Sequence, residues 1–193
     1  MEESKNILDY ISIDDIKECL SQLGLYKHLS DKKKFVVDDK RKTNSSHWGV
    51  ALYDGDVLDK DSFVCSITIQ DNINISVKMN EKKFSESSRD SLEFYFIDFI
   101  VRKLGADFVK KHLNNYIALY RNYLSKSYFP QNENLELIKN HASRLDPISK
   151  KKILKLIKTS QDSYDKIIDI MCEPLEYNFK RCISRNKNLQ IMQ

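Results

Sequence analysis

One apolar run near the middle of the chain, residues 92–105, limits the possible folds more than any other segment. Its apolar and aromatic side chains recur at helical spacing and occupy most sides of the helix that this spacing predicts. Arg102 and Lys103 suit the negative end of a helix dipole, and Gly105 is a typical residue just past a helix C-terminus. The run therefore predicts a central helix that is buried on several sides.

The polar residues around this run fit the same helix. Ser85, Ser87 and Ser88 precede it, and their hydroxyls can accept hydrogen bonds from the first unpaired backbone N–H groups. Asp98 lies one helical turn before Arg102, a spacing that brings opposite charges together on one helix face. One stripe of residues is predicted to face the core: Leu92, Tyr95, Phe96, Phe99, Ile100 and Lys103.

The segment before the run alternates apolar and polar residues, as strands with one buried face do. Residues 62–69 and 73–79 are predicted to form a hairpin with a three-residue loop. Such a loop pairs Ile69 with Ile73 and puts both apolar rows on one face, whereas a two-residue loop would separate them. Asn72 suits a left-handed backbone conformation in that loop.

Two further strands are predicted earlier in the chain. Residues 35–37 form a short candidate, and residues 48–53 form a longer one. Asp54 and Gly55 follow directly and are typical of a hairpin turn, because glycine tolerates a positive φ. The middle of the chain is therefore predicted to be an antiparallel meander of three to four strands.

Helical spacing also predicts helices on both sides of these strands. Near the N-terminus, Ser12 and Asp15 have the spacing of a helix capping pair and precede a helical apolar stripe. Further helices are predicted over residues 107–124, from Asp146-Pro147 onward, and from about residue 160 with a kink or a restart at Pro174.

The predicted fold class is α+β, with an N-terminal helix, an antiparallel meander and a mostly helical C-terminal half. The length of 193 residues fits a single domain over 1–193. Within it, residues 1–84 would hold the first helix and the strands, residues 85–185 the helical part, and residues 186–193 a frayed tail.

Composition indicates a soluble cytoplasmic protein that does not enter a membrane. No apolar run approaches the roughly 20 residues that span a bilayer, and the first residues lack the apolar core of an export signal. The four cysteines are scattered, as reduced thiols in a cytoplasm usually are. The abundance of Lys, Asn and Ile suggests AT-rich coding, and so a low-GC or mobile-element origin.

Basic residues on the C-terminal helices are the first candidate for a binding site. The net charge of +4 is compatible with an acidic partner but does not require one. Several of these residues stand beside tyrosines, and single-stranded nucleic acid uses charge for its phosphates and ring faces for its bases. The predicted contacts with RNA, DNA or an acidic protein are Lys110, Lys111, Arg121, Lys150, Lys151, Lys152, Lys155, Arg181 and Arg185.

Four aspartates in one short stretch are the second candidate. Asp54, Asp56, Asp59 and Asp61 form the densest carboxylate cluster of the chain, and oxygen ligands of this kind suit Mg²⁺ or Ca²⁺. The spacing differs from that of an EF-hand loop, and a solvated turn explains the same residues. No other cofactor is predicted.

Two patterns resemble nuclease motifs. The order helix, strands, helix is similar to the PD-(D/E)xK nuclease core, in which an acidic residue and a following E-x-K motif hold a metal over the scissile phosphate. Asp54 or Asp56 would supply the first carboxylate, but Ser76 occupies the position of the E-x-K carboxylate. Arg41 and His47 have the R-x(4–6)-H spacing of HEPN ribonucleases, but they lie in a predicted loop and not on a helix.

These observations lead to three functional hypotheses. The first is a non-enzymatic intracellular binding or regulatory protein that contacts nucleic acid or an acidic partner through its basic C-terminal helices. The second is a metal-dependent nuclease or hydrolase that uses the loop at 54–61, and the third is a protein-interaction or immunity-type module. Neither the oligomeric state nor the identity of the partner follows from the sequence.

Overall fold

The computed structural model describes residues 6–23, 29–41, 47–80, 82, 86–128, 138, 141–157 and 164–191, with the side chains of 86–91, 157, 190 and 191 excepted. A 3₁₀ turn at Ile7–Tyr10 is followed by α1 (Ile13–Ser21), β1 (Lys33–Asp39), β2 (Trp48–Asp54), β3 (Phe63–Gln70), β4 (Asn74–Met79), α2 (Glu86–Leu104), α3 (Ala106–Tyr128), α4 (Pro147–Ile157) and α5 (Tyr164–Ile191). The predicted α+β class is confirmed.

The four strands form one antiparallel sheet in the order β1-β2-β3-β4. One face of the sheet carries a buried apolar row from its two central strands, and α1 packs against β2 while α2 packs against β4. The row consists of Trp48, Val50, Leu52, Cys65, Ile67 and Ile69. The burial of these side chains is the main apolar contribution of the sheet to the core.

The hairpin between β3 and β4 differs from the prediction by two residues of register. Ile69 pairs with Ile75 and not with Ile73, because two consecutive left-handed residues, Asp71 (φ 53°) and Asn72 (φ 54°), close the turn one residue later. The left-handed Asn72 is confirmed. Because the observed register differs from the predicted one by an even number of residues, both apolar rows still share one face, as predicted.

The hairpin predicted at Asp54-Gly55 is confirmed, because β2 and β3 pair antiparallel and Gly55 has a positive φ, but its connection is longer than a two-residue turn. β2 ends at Asp54, and residues 55–62 connect it to β3, with Gly55 at φ 124°. The Asp59 carboxylate accepts the backbone N–H groups of Asp61 and Ser62, which folds this connection into a wider turn.

The helix start predicted at Ser12 is confirmed. The Ser12 hydroxyl accepts the Asp15 N–H, and the Asp15 carboxylate accepts the Ser12 N–H, which is a complete capping box. Lys103 from α2 forms a salt bridge with Asp15. Burial alone would raise the pKa of Asp15, but the hydrogen bonds from Lys103 and Ser12 outweigh it and lower that pKa.

The central helix α2 follows the prediction closely at its C-terminal end. Gly105 has φ 86° just after the last helical residue, and the Asp98–Arg102 pair forms with an Nε–Oδ2 distance of 3.1 Å. Tyr95, predicted to face the core, is only half-buried, as is Phe94. The capping serines 85, 87 and 88 lie outside the described side chains.

Helices α3 and α5 pack antiparallel and complete the core. The stripe predicted for α3 is buried in full: Val109, Leu113, Tyr116, Ile117, Tyr120 and Leu124. Salt bridges join the two helices near both ends, Lys187 to Asp107 and Arg121 to Asp169. The α4 start is also confirmed, because the Asp146 carboxylate accepts backbone N–H groups of the first turn.

The prediction of a frayed tail over 186–193 differs from the structure. α5 is one helix that contains Pro174 and continues to Ile191. Asn186 is buried and donates to Asp98 Oδ1 at 3.2 Å, so tertiary contacts hold the polar end of α5 in place. No helix among the described residues is long and apolar enough to cross a membrane.

Candidate functional site

The structure places the predicted basic residues in three separate regions. Lys110 and Lys111 are exposed near the start of α3, and Arg121, further along α3, is paired with Asp169. The α4 lysines Lys150, Lys151, Lys152 and Lys155 are exposed on their own helix. Arg181 and Arg185 are one turn apart on α5. The Arg181 guanidinium lies over the Phe94 ring of α2, and Arg185 lines a depression together with Phe94 and Tyr95.

We call the depression between these two helices the α2/α5 groove. Its volume is about 330 Å³, and the side chains that line it combine charge, rings and one aliphatic residue. They are Phe94, Tyr95, Asp98, Arg102, Arg185, Asn186 and Leu189. Leu189 is 51% exposed, so the groove is open to solvent at that end.

Aromatic rings of the groove support Arg102, which lines it, and Arg181, which lies beside it. The Arg181 Cζ lies 4.8 Å from the centroid of the Phe94 ring, and the Arg102 Cζ lies 5.9 Å from the Tyr95 ring. A guanidinium over a ring face is held by cation–π attraction and keeps its N–H donors on its edge. The groove therefore presents oriented donors beside ring faces.

The charge balance of the groove is positive. Asp98 is its one carboxylate among the described side chains, and it is buried between Arg102 and Asn186. Arg181 and Arg185 have no ion pair within the described part of the chain. Two guanidinium groups thus remain for an external anion.

Sequence reasoning missed the aromatic half of this site. The run 92–105 was interpreted as core, which is right for Phe96 and Ile100 but not for Phe94 and Tyr95. The sequence does contain one indication that Phe94 is not in the core: it lies outside the predicted stripe, in the same helix as Arg102.

The four aspartates do not converge in the structure. Each carboxylate has a different partner. Asp54 accepts from the backbone N–H and the hydroxyl of Ser30, and Asp59 accepts backbone N–H groups of its own turn. Asp56 forms a salt bridge with Lys32, and Asp61 forms one with Lys82. The described residues contain no group of three or more side chains that could hold a metal ion. The Mg²⁺ or Ca²⁺ site remains a prediction.

The residues of the two nuclease-like patterns also lie apart from any helix cleft. Arg41 forms a salt bridge with Asp39 and lies 4.6 Å from the centroid of the Trp48 ring. His47 Nε2 is 3.3 Å from Asp38 Oδ2, at the start of β2. Ser76 is on the edge strand β4, so the E-x-K carboxylate is missing in the structure as well.

The four cysteines are all buried. Burial raises the pKa of Cys19, Cys65 and Cys182 to about 12 and that of Cys172 to about 11. Because the thiolate is the nucleophile, these protonated thiols are unreactive at neutral pH.

A half-buried histidine, His141, lies elsewhere, among β4, α3 and α5. Burial lowers the pKa of His141 from its usual 6.5 to about 4, and the positive charge of Arg144 acts in the same direction. Its Nδ1 is 3.1 Å from the Tyr128 hydroxyl. The imidazole is therefore neutral at physiological pH.

We expect this histidine to make the fold sensitive to acid. Between pH 6.5 and pH 4 the unfolded chain binds a proton at His141 that the folded chain does not, so stability falls as the pH falls through this window. In urea titrations across that range, His141→Gln should lose less stability than the parent. The same loss of stability with falling pH in the two proteins would contradict the assignment of this acid sensitivity to His141.

Comparisons with protein-family models, with curated proteins and with solved structures found no match. The function must therefore be inferred from the site itself.

Proposed function

We propose that this chain is a cytoplasmic binding protein, without catalytic activity, whose C-terminal helices hold an anionic partner in the α2/α5 groove. The observation that carries the proposal is that Arg185 lines this groove together with the half-buried rings of Phe94 and Tyr95, while Arg181, one turn away, lies over the Phe94 ring. The guanidinium groups suit phosphates or carboxylates, since both accept paired N–H donors.

Single-stranded nucleic acid is the partner that these residues favour. An acidic protein would need the charges alone, whereas a nucleic acid also uses ring faces on which bases stack. Each base stacked on an aromatic side chain contributes about 1–3 kcal/mol. The exposed lysines of α4 would add contacts with the backbone that do not depend on sequence.

The experiment is a titration of a fluorescent single-stranded oligonucleotide with the parent and two double variants. Arg181→Gln with Arg185→Gln should weaken binding roughly tenfold to hundredfold, because charge-assisted hydrogen bonds are lost. Lys110→Gln with Lys111→Gln removes the same net charge outside the groove and should change affinity by less than about threefold.

Three outcomes of this titration would contradict part or all of the proposal. Equal losses in both variants would mean a diffuse charge effect and would contradict a site in the groove. Absence of binding by the parent at low salt would contradict nucleic acid as the partner. Tighter binding of an acidic peptide than of the oligonucleotide would assign the groove to a protein instead. Thermal unfolding of both variants checks that each is folded.

A further inference from the structure

A second cavity lies between the edge strand β4 and helices α2, α3 and α5, and it shares no lining residue with the α2/α5 groove. Its volume of about 310 Å³ is at the lower end of the range for small-molecule sites. Its walls are apolar at Leu124, Met171 and Leu175 and polar at Tyr120, His141 and Arg144.

One wall is the free edge of the sheet. Asn80 N–H donates to the Val64 carbonyl, so in the alternating antiparallel ladder the main-chain groups of Ile75 and Val77 point away from β3. Both residues line the cavity, and β4 has no second strand neighbour among the described residues. The cavity therefore contains strand N–H and C=O groups that a ligand can use.

A buried tyrosine hydroxyl on the wall of the cavity is the strongest indication of a ligand site. Tyr120 is 8% exposed, and its hydroxyl makes no hydrogen bond in the described part of the chain. Tyr116, one turn earlier on α3 and also buried, donates to the Ile73 carbonyl at 2.8 Å. Leaving a buried polar group without a partner costs about 1–3 kcal/mol, so such groups are rare without a function.

Two other side chains of the cavity, Arg144 and His141, can donate hydrogen bonds to a ligand. The Arg144 guanidinium has no ion pair among the described residues. When the Tyr128 hydroxyl donates to Nδ1 of the neutral His141 ring, the Nε2–H of that ring remains a donor. A set of donors around one cation, between apolar walls, matches a ligand with an anionic head and an apolar body.

The charge of the walls selects the anion. Arg144 is the one arginine or lysine among the described residues that line the cavity. The carboxylates of Glu93 and Asp146 lie on the same walls, but that of Asp146 already accepts backbone N–H groups of the first turn of α4. A dianionic phosphate would meet these carboxylates with too little positive charge to balance it, whereas a carboxylate carries one charge and accepts two parallel bonds from an arginine.

We propose that this cavity binds a small organic monocarboxylate with an apolar or aromatic body, whose carboxylate pairs with Arg144 and whose binding gives the Tyr120 hydroxyl a partner. The proposal is independent of the α2/α5 groove.

The test uses benzoate, phenylacetate and octanoate as probes, with phenylacetamide and phenyl phosphate as comparison compounds. Binding to the full chain is measured by calorimetry and by the shift in melting temperature. At least one of the three carboxylates should bind, and both phenylacetamide and phenyl phosphate should bind at least about tenfold more weakly than the best carboxylate. Failure of all three carboxylates, or tighter binding of the phosphate, would overturn the proposal.

Two single-atom variants on α3 separate ligand binding from folding. Tyr120→Phe removes the unpaired hydroxyl, so it should leave stability unchanged or raised while weakening the best carboxylate about tenfold. Tyr116→Phe removes a satisfied hydroxyl, so it should lower stability and leave the affinity unchanged. Arg144→Gln, at an exposed position, should abolish the preference for carboxylate over amide. Unchanged affinity and selectivity in Tyr120→Phe and Arg144→Gln would place any binding outside this cavity and overturn the proposal.

Discussion

Replacement of Phe179 by alanine is expected to lower the free energy of unfolding by about 3–5 kcal/mol, as for other fully buried aromatic residues. The Phe179 side chain is 0% exposed, and its ring lies 5.5 Å from that of Tyr116, where α5 packs on α3. The truncation removes apolar contacts and leaves a cavity that surrounding helices can close only in part.

The matched control for this change is two residues earlier on the same helix. Tyr177 is 64% exposed, so Tyr177→Ala should change the unfolding free energy by no more than about 0.5 kcal/mol. Urea denaturation of both variants measures the difference. Similar losses for the two would show that α5 does not present Phe179 to α3, and the packing described for the C-terminal half would be wrong.

Replacement of Gly49 by valine is expected to destabilise the sheet by about 1–3 kcal/mol or more, the usual effect of overpacking a filled site. Gly49 is buried in the central strand β2 opposite Thr68. A Cβ there would overlap the Ile67 carbonyl oxygen and lie 2.8 Å from the Thr68 Cα. Since these are backbone atoms of a paired strand, the clash can be relieved only by separating β2 from β3.

The control for Gly49→Val is a substitution at Ala51. It is the next residue on the same face of β2 and is half-buried, and it already has a Cβ, so Ala51→Ser should cost less than about 1 kcal/mol. The two variants are compared by thermal unfolding. A Gly49→Val protein as stable as the Ala51→Ser protein would contradict the close approach of β2 and β3 at this position.

The parts of the fold that local chemistry specifies could be predicted from the sequence. The capping box of Ser12 and Asp15, the left-handed Asn72 and the C-terminal Gly105 each depend on atoms a few residues apart. The α3 stripe depends only on helical spacing, and each of its predicted members is buried. Local rules suffice wherever the partner of a residue lies within one or two turns.

The parts that depend on distant partners could not be predicted. The polar residues 186–193 predict a frayed tail, yet Asn186 contacts Asp98 on α2, far away in sequence. Arg185, the residue before Asn186, lines the same depression as Phe94. A groove that needs two helices from opposite ends of the C-terminal half has no signature in either segment alone.

The unpaired hydroxyl of Tyr120 is a further example. Its place in the buried stripe of α3 followed from spacing, and the structure confirms it. Spacing cannot show that Tyr116 reaches the Ile73 carbonyl while Tyr120 reaches no partner within the described chain, since that difference depends on where β4 begins.

The salt dependence of oligonucleotide binding tests the central claim most directly. The logarithm of the binding constant should fall linearly with the logarithm of salt concentration, with about 0.7 of slope for each phosphate contact on a single strand. If Arg181 and Arg185 each hold a phosphate, the Arg181→Gln, Arg185→Gln variant should show a slope shallower than that of the parent by about 1.4, and the Lys110→Gln, Lys111→Gln variant should not. The same slope for the parent and the groove variant would contradict the claim that the α2/α5 groove holds a nucleic acid.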